Sequence, residues 1–523
     1  MSVVQIRPRA PFSNLSPNVK AEQCACSRPS DVPFTEFDST IPFGTIAPYI
    51  SVSQSPALAP PNCGCWTSSF RKNRQVQRLE IPLKFRAAPS WPEGSDPPSL
   101  QYNPERYSPA GASKPQPVLA GRTILRPDLG LNRYTCNAEI DWVELRLCTL
   151  GHHQAQNIHR FAAKELDSIG SGSSVFVSGP GREPGYSGSE FILRLQQPKP
   201  NELAVLSKSL VAKYAPHLTP VAELPPAGVE ISVDFRVEPD KHWTDDTRNL
   251  LRWQMTDILR RHLRPEPVLT EEGNCAPRFY VKKDGKDSAR FCLDHKTALK
   301  SSKLVSNLTR FGVDVRHAAT LHLNAHTPTP IDTTSYIGGR DFPVMIRVMD
   351  KRTDKRDPIS DKVTDLPAQD WRSRIEVTLK AERNEVGGHG AVDLHVLSDL
   401  YGYKFRSIRK TFFEFFLPTV ADLCPTRSLP FPVTAEETSV FERSGVYGLD
   451  RLHRAVEAIG NASRRRDRTK PKPSNLGKKG RLLSYAELNR KVDRALDALS
   501  KNWADSLSPG ARSLQASRAR LSP

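Results

Sequence analysis

At 523 residues the chain is long enough for two or three domains, and no stretch reaches the roughly 18 consecutive apolar residues of a membrane span. Its 75 Lys and Arg against 57 Asp and Glu leave a net charge of +18, which points to a polyanionic partner, nucleic acid first among them. The opening residues, Met1 to Leu15, show no apolar h-region and no small-residue cleavage pattern, so a cytoplasmic protein without a membrane partner is expected.

Nine cysteines are too sparse for a disulfide scaffold. Two Cys-x-Cys pairs, Cys24/Cys26 and Cys63/Cys65, offer thiolates that suit zinc. Their spacing is tighter than the usual two-residue gap, so metal binding there stays open. Residues 1–130 carry 20 of the 45 prolines together with Ser clusters. That composition predicts a mostly disordered extension, interrupted by one strand-like run from Val76 to Phe85.

Order is expected from Tyr134, in a domain reaching residue 425. Asp141 to Leu147 alternates, with Val143, Leu145 and Leu147 on one side and Glu144 and Arg146 on the other. Ile158 to Leu166 reads as a helix, Phe191 to Leu195 as a strand, and Asn201 to Tyr214 as a second helix. Gly228 to Val237 is the cleanest strand: Val229, Ile231, Val233, Phe235 and Val237 alternate with Glu230, Ser232, Asp234, Arg236 and Glu238. Thr244 to Leu263 reads as a helix that stops before Pro265. Phe279 to Asp284 and Ala289 to Leu293 predict a hairpin around Asp-Gly. A second hairpin runs from Thr333 to Lys351, and Arg374 to Lys380 alternates strictly. Beyond residue 425 a basic, Pro-punctuated linker holds Arg464, Arg465 and Arg466. Ser484 to Glu487 reads as a capping box, opening a helix with Leu488, Val492, Leu496 and Leu499 on one stripe. That stripe docks on the core or on a second copy, as in a homodimer.

Half-polar strands separated by helices predict an α+β fold. Helices would cover one face of a largely antiparallel sheet and leave the other open and polar. The polar face would carry Glu144, Arg146, Arg194, Glu230, Asp234, Arg347, Glu376 and Lys380, a mixture suited to a metal ion and phosphates. An ordinary solvated sheet face has the same appearance.

The hairpin Thr333 to Lys351, with its strand Ile346-Arg-Val-Met-Asp-Lys351, resembles the signature hairpin of the replication initiation factor family, the rolling-circle Rep proteins of plasmids and filamentous phages. Three further blocks follow the family's order: Asp141 to Leu147, Arg194 to Leu203, and Val229 to Phe235, with Arg374 to Lys380 completing the hairpin block. The resemblance implies a bacterial replication initiator. Such a protein binds origin DNA, duplex or single-stranded, works with host replication proteins, and nicks one strand with a tyrosine. It also implies a divalent cation, Mg²⁺ or Mn²⁺, with Glu230, Asp234 and Glu376 as candidate ligands. Glu230 and Asp234 stand about 13 Å apart along one strand, so one of them with Glu376 is the better pair. Arg347 would serve catalysis at the attacked phosphate, and Arg340, Lys351 and Lys380 would contact DNA, aided by Arg464, Arg465 and Arg466 of the basic linker.

The attacking position of the family holds Met349, whose thioether cannot form a phosphotyrosine link. Tyr336 is the nearest tyrosine in the hairpin. A symmetric turn over Gly338 to Phe342 pairs it with residue 344 or 345, about 13 Å along the ladder from Met349. The alternatives are a Rep-like protein that binds DNA without cutting it, or a basic nucleic-acid-binding structural protein.

Overall fold

The alternating runs pair into sheets in a computed structural model of the chain. The structure describes residues 78–87, 97–109, 116–180, 187–217, 224–264, 278–283, 286–291, 329–338, 343–356, 363–380, 397–421, 437–466 and 480–506. The two Cys-x-Cys pairs and Arg340 lie outside them.

The described chain opens with β1 (Leu79–Pro82), β2 (Ser99–Arg106) and β3 (Arg122–Pro127). Next come β4 (Tyr134–His153), α1 (Ala155–Ser168), β5 (Val175–Ser178) and β6 (Gly188–Gln196). They are followed by α2 (Pro200–Tyr214), β7 (Pro226–Val237) and α3 (Asp245–His262). Two hairpins come after that: β8 (Arg278–Lys283) with β9 (Lys286–Phe291), and β10 (Ser335–Ile337) with β11 (Val344–Lys351). A short ribbon of β12 (Thr353–Arg356) and β13 (Val363–Asp365) leads to β14 (Arg372–Lys380). The remainder is α4 (Leu397–Tyr401), α5 (Arg409–Phe412), β15 (Phe416–Leu417), β16 (Thr419–Ala421), α6 (Glu437–Arg466), β17 (Leu483–Ser484) and α7 (Ala486–Asp505).

Among the described residues nine strands form the main sheet in the order β5-β6-β4-β7-β14-β11-β10-β8-β9, with every pairing antiparallel. The fold is α+β, as the sequence pattern predicts. Val229, Ile231, Val233 and Phe235 of β7 and Ile375, Val377 and Leu379 of β14 are buried in the core. These residues share one face because side chains alternate along a strand. On that face α3 packs against β7, β11 and β14, with the Thr256 hydroxyl donating to Ser373 Oγ at 2.9 Å. Helices α1, α2 and α7 cover the β5–β6–β4 side.

Thr244 caps α3, its hydroxyl oxygen accepting from the Thr247 amide at 3.2 Å. Arg260 and Arg261 lie in the last turn, where cations suit the helix dipole. The other side of α3 carries a second sheet, ordered β1-β2-β3-β16. Gln254 donates to the Ser99 carbonyl at 2.8 Å, and Tyr102 pairs with His262 at 3.1 Å. One helix is thus shared by two sheets.

Three expectations need correcting. The extension was expected to be mostly disordered apart from the run Val76 to Phe85. β1 falls in that run, but β2 and β3 lie beyond it, with Leu100, Tyr102, Leu119 and Leu125 in the core. The domain therefore does not begin at Tyr134. Ser484 does not cap α7: it lies in β17, Tyr485 is the N-cap, and no side chain caps the helix. The α7 stripe faces the core, where Leu488, Val492, Leu496 and Leu499 are buried and the helix packs on β4. Lys491 ties it there through the Tyr134 carbonyl at 2.7 Å. Among the described residues no helix is long and apolar enough to cross a membrane.

Candidate active site

The polar face is where the sequence placed it, but its centre is not solvated. Glu230 is 1% exposed, Asp234 and Glu376 2%, and Arg374 1%. Their strands are central in the sheet, and longer arginine side chains from neighbouring strands cover the shorter carboxylates. The three acids were expected on open, outward positions. They are on the polar face, and they are ion-paired there.

Register brings them together. Thr378 stands opposite Glu230, Glu376 opposite Ser232, and Arg374 opposite Asp234. Across the next strand Arg347 stands opposite Glu376 and Met349 opposite Arg374. The three-acid cluster that results joins Glu230 to Glu376, one of the two pairings expected, and adds Asp141, which was not expected. Ligand oxygens of Asp141, Glu230 and Glu376 lie within 4.8 Å of one another. Asp234 stands apart, bound by Arg374 through two hydrogen bonds of 2.6 Å and by Arg372 at 2.8 Å.

Asp141 was missed because β4 has a bulge. Ile140 pairs with Ile231 and Trp142 with Glu230, so Asp141 is the extra residue. An extra residue re-aims side chains beyond strict alternation. The signal was in the sequence: Ile140 and Val143, three apart, are both apolar and both buried.

The electrostatics are lopsided. Arg347 Nη2 lies 2.5 Å from Glu230 Oε1 and 2.6 Å from Glu376 Oε2. Only the first contact has hydrogen-bond alignment, and Glu376 Oε2 has no hydrogen-bond partner. Arg374 Nη1 donates to Asp141 at 3.0 Å and to Glu376 at 3.4 Å, while its other nitrogens hold Asp234 and Glu139. Three carboxylates therefore share one arginine and part of another. Burial, with the Glu376 and Asp141 charges, pushes the Glu230 carboxyl up to about 7, against the pull of Arg347 and the Thr378 hydroxyl. Burial works the same way on Asp141, but Arg374 and Lys351 outweigh it and hold that carboxyl below its usual range. Burial also disfavours the Arg347 cation, yet Glu376 and Glu230 overcome it and keep that guanidinium firmly charged.

This donor set fits a hard divalent cation: three carboxylates, one oxygen lacking a hydrogen bond, and more acid than local base. Asp141, Glu230 and Glu376 could hold it.

Tyr336 needs a further correction. It pairs with Arg347, not with residue 344 or 345. It is therefore directly across the ladder from the arginine of the acid cluster, on the same face, and only two residues out of step with Met349. Parity excludes residue 344, since that pairing would set Tyr336 against the buried apolar Val344. Gly338 makes the turn: its φ is +85°, and a Cβ there would lie 2.5 Å from the Val344 carbonyl oxygen.

Lys351 pairs with Arg372 at the end of β11. Lys380 pairs with Gly228, one row from Glu230. Arg464 to Arg466 form the end of α6, whose backbone alone is described there. The expected DNA contacts thus include two residues, Lys351 and Lys380, that the sheet places at opposite ends of the polar strip. No protein-family model and no curated protein matches this chain.

Proposed function

We propose that this protein is a Rep-like DNA-processing initiator that cuts and holds a DNA strand on the polar face of its main sheet. One observation carries the reading: the register that sets Tyr336 opposite Arg347, beside the acid cluster. The four sequence blocks of the replication initiation factor type fall on β4, β6–α2, β7 and the β10–β11–β14 unit, which are contiguous in one sheet.

In this reading the Tyr336 oxygen attacks a phosphodiester phosphorus. The bond to the 3′ oxygen breaks, that oxygen receives the phenolic proton, and the 5′ end stays on the tyrosine. Arg347 neutralises a phosphate oxygen while remaining hydrogen-bonded to Glu230. Asp141, Glu230 and Glu376 hold Mg²⁺ or Mn²⁺. The cation would stabilise the extra charge of the transition state. Lys351 and Lys380 hold the flanking phosphates.

The protein should be incubated with single-stranded and supercoiled DNA and Mn²⁺, then denatured. A covalent adduct mapped to Tyr336 supports the reading. An adduct on another residue, or none, overturns it. A second reading has its own support: Arg347 already occupies the acids, as in a member that binds DNA without strand transfer. DNA binding unaffected by Mn²⁺, with no adduct, would favour it.

A further inference from the structure

A different part of the same polar face carries an arrangement that the acids do not use. Among the described residues Phe176 of β5 is one of four exposed large apolar side chains, at 47%. A lone exposed phenylalanine is ordinary. This one stands directly opposite Arg194 of β6, and Arg194 stands opposite Glu144 of β4. The Arg194 guanidinium lies over the Trp142 ring, 4.3 Å from its centroid. Glu144 Oε1 accepts from Arg194 Nε at 3.0 Å and also from Nη2, which fixes the guanidinium plane against the indole.

Trp142 itself is buried and stands opposite Glu230. Gly228 closes the far side: a Cβ there would lie 3.3 Å from the Trp142 ring and 3.0 Å from Glu144 Oε2. The Arg194 side chain keeps 40% of its surface exposed. Its outer flat side and the Phe176 ring are therefore two neighbouring planar surfaces open to solvent.

We infer that Phe176 and the Arg194–Trp142 pair form a base-stacking subsite for single-stranded DNA. An unpaired base presents a π face that stacks on an aromatic ring or a guanidinium plane regardless of sequence, while a duplex keeps its base faces hidden. Charge suits the same occupant. Arg194 is a cation already held flat, Lys380 follows in the same row across Gly228 and Glu144, and the chain carries +18 overall. Phe176 is three strands from Gly228, roughly 14 Å at about 4.8 Å per strand, and Glu230 lies two residues further along β7, about 16 Å away in all. A short run of nucleotides spans that distance, so one strand could stack here and reach the acids. The subsite rests on the DNA-processing reading for its meaning, but its binding can be measured without any cleavage.

The test is fluorescence anisotropy with labelled oligothymidylate, and with a blunt duplex of the same length, in EDTA. Phe176→Ala should weaken single-strand binding roughly 5- to 150-fold, the worth of one base–aromatic stack, and leave duplex binding within about twofold. Phe176→Trp should restore it. Arg194→Met should weaken the single strand more than the duplex. Bromodeoxyuridine placed in the oligonucleotide should crosslink under ultraviolet light to Phe176 or to β4–β6. Equal losses for both DNAs, no loss, crosslinks confined to other strands, or wild-type protein that ignores single strands would each overturn the subsite. So would loss of a dimer in Phe176→Ala, which would mark the ring as a self-association contact. An adduct experiment that fails while these measurements succeed would remove strand transfer and leave the subsite standing.

Discussion

Two clusters of buried charge lie side by side on the polar face, and they are built from the same residue types. Around Asp234, Arg374 and Arg372 supply two guanidinium groups to one carboxylate, with Arg236 a third at 3.9 Å. Around Asp141, Glu230 and Glu376, one arginine and a share of another serve three carboxylates. The first cluster has a surplus of base, and its atoms without hydrogen bonds are nitrogens, Arg372 Nε and Arg236 Nε. The second has an acid surplus and an oxygen without a hydrogen bond. Salt bridges alone do not separate a structural knot from a reactive site. The balance of charge within each does.

The largest effect expected from this contrast is on chemistry. Tyr336→Phe should remove any DNA adduct, lowering its formation by roughly three orders of magnitude or more, while thermal stability stays near wild type. A gel of denatured reaction mixtures reads it, and an undiminished adduct would place the nucleophile elsewhere.

Next is the arginine-rich cluster. Arg374→Met removes both hydrogen bonds that Arg374 makes to Asp234, leaving it Arg372 and Arg236, and also takes a cation from Asp141 and buried Glu376. Loss of one partner of a buried pair costs about 3–5 kcal/mol. Chemical denaturation should show that loss. A stable Arg374→Met variant would mean that the Asp234 cluster contributes little to the fold.

The acid-rich cluster should answer to metal. At 100 times its dissociation constant Mn²⁺ should stabilise the wild type by about 2.7 kcal/mol, and Asp141→Asn should lose most of that shift in a thermal melt. Equal shifts in both proteins would take Asp141 out of the ligand set.

The smallest effect is a slope. Glu230 holds its proton up to about 7 in the folded state, against 4.5 in its ordinary state. Between those values the folded chain binds more proton than the unfolded one, so Glu230 makes stability fall as pH rises across that window. Glu230→Gln should flatten this part of the melting profile. An unchanged slope would assign it to another group.

Much of this face could be read from the chain. Strict alternation in β7 and β14 put Glu230, Asp234 and Glu376 on one side, and the sheet bears that out. Alternation says nothing about what lies above a residue, so it took the acids as solvated where arginines bury them. It also assumes unbroken period two, and the β4 bulge hid Asp141 for that reason. The hairpin failed through loop length. A Gly-Gly turn suggested a tight symmetric connection, whereas the pairing of Ile337 with Ile346 and Ser335 with Val348 fixes a longer loop. β1 falls in the strand-like run Val76 to Phe85, but β2 and β3 escaped notice because proline content masked the apolar residues that they bury.

The sheet that β1, β2 and β3 begin is completed by β16, through pairs such as Ile124 with Thr419. The ribosome synthesises the chain in one direction, so this pairing must wait while nearly three hundred further residues are made. Until then Ile124 and its neighbours have an unfilled edge, and α3 lacks part of its cover. Closing so distant a pair is entropically slow, and exposed edges invite misassembly. Emergence of β16, rather than emergence of the first strands, should therefore be the moment at which this sheet can close.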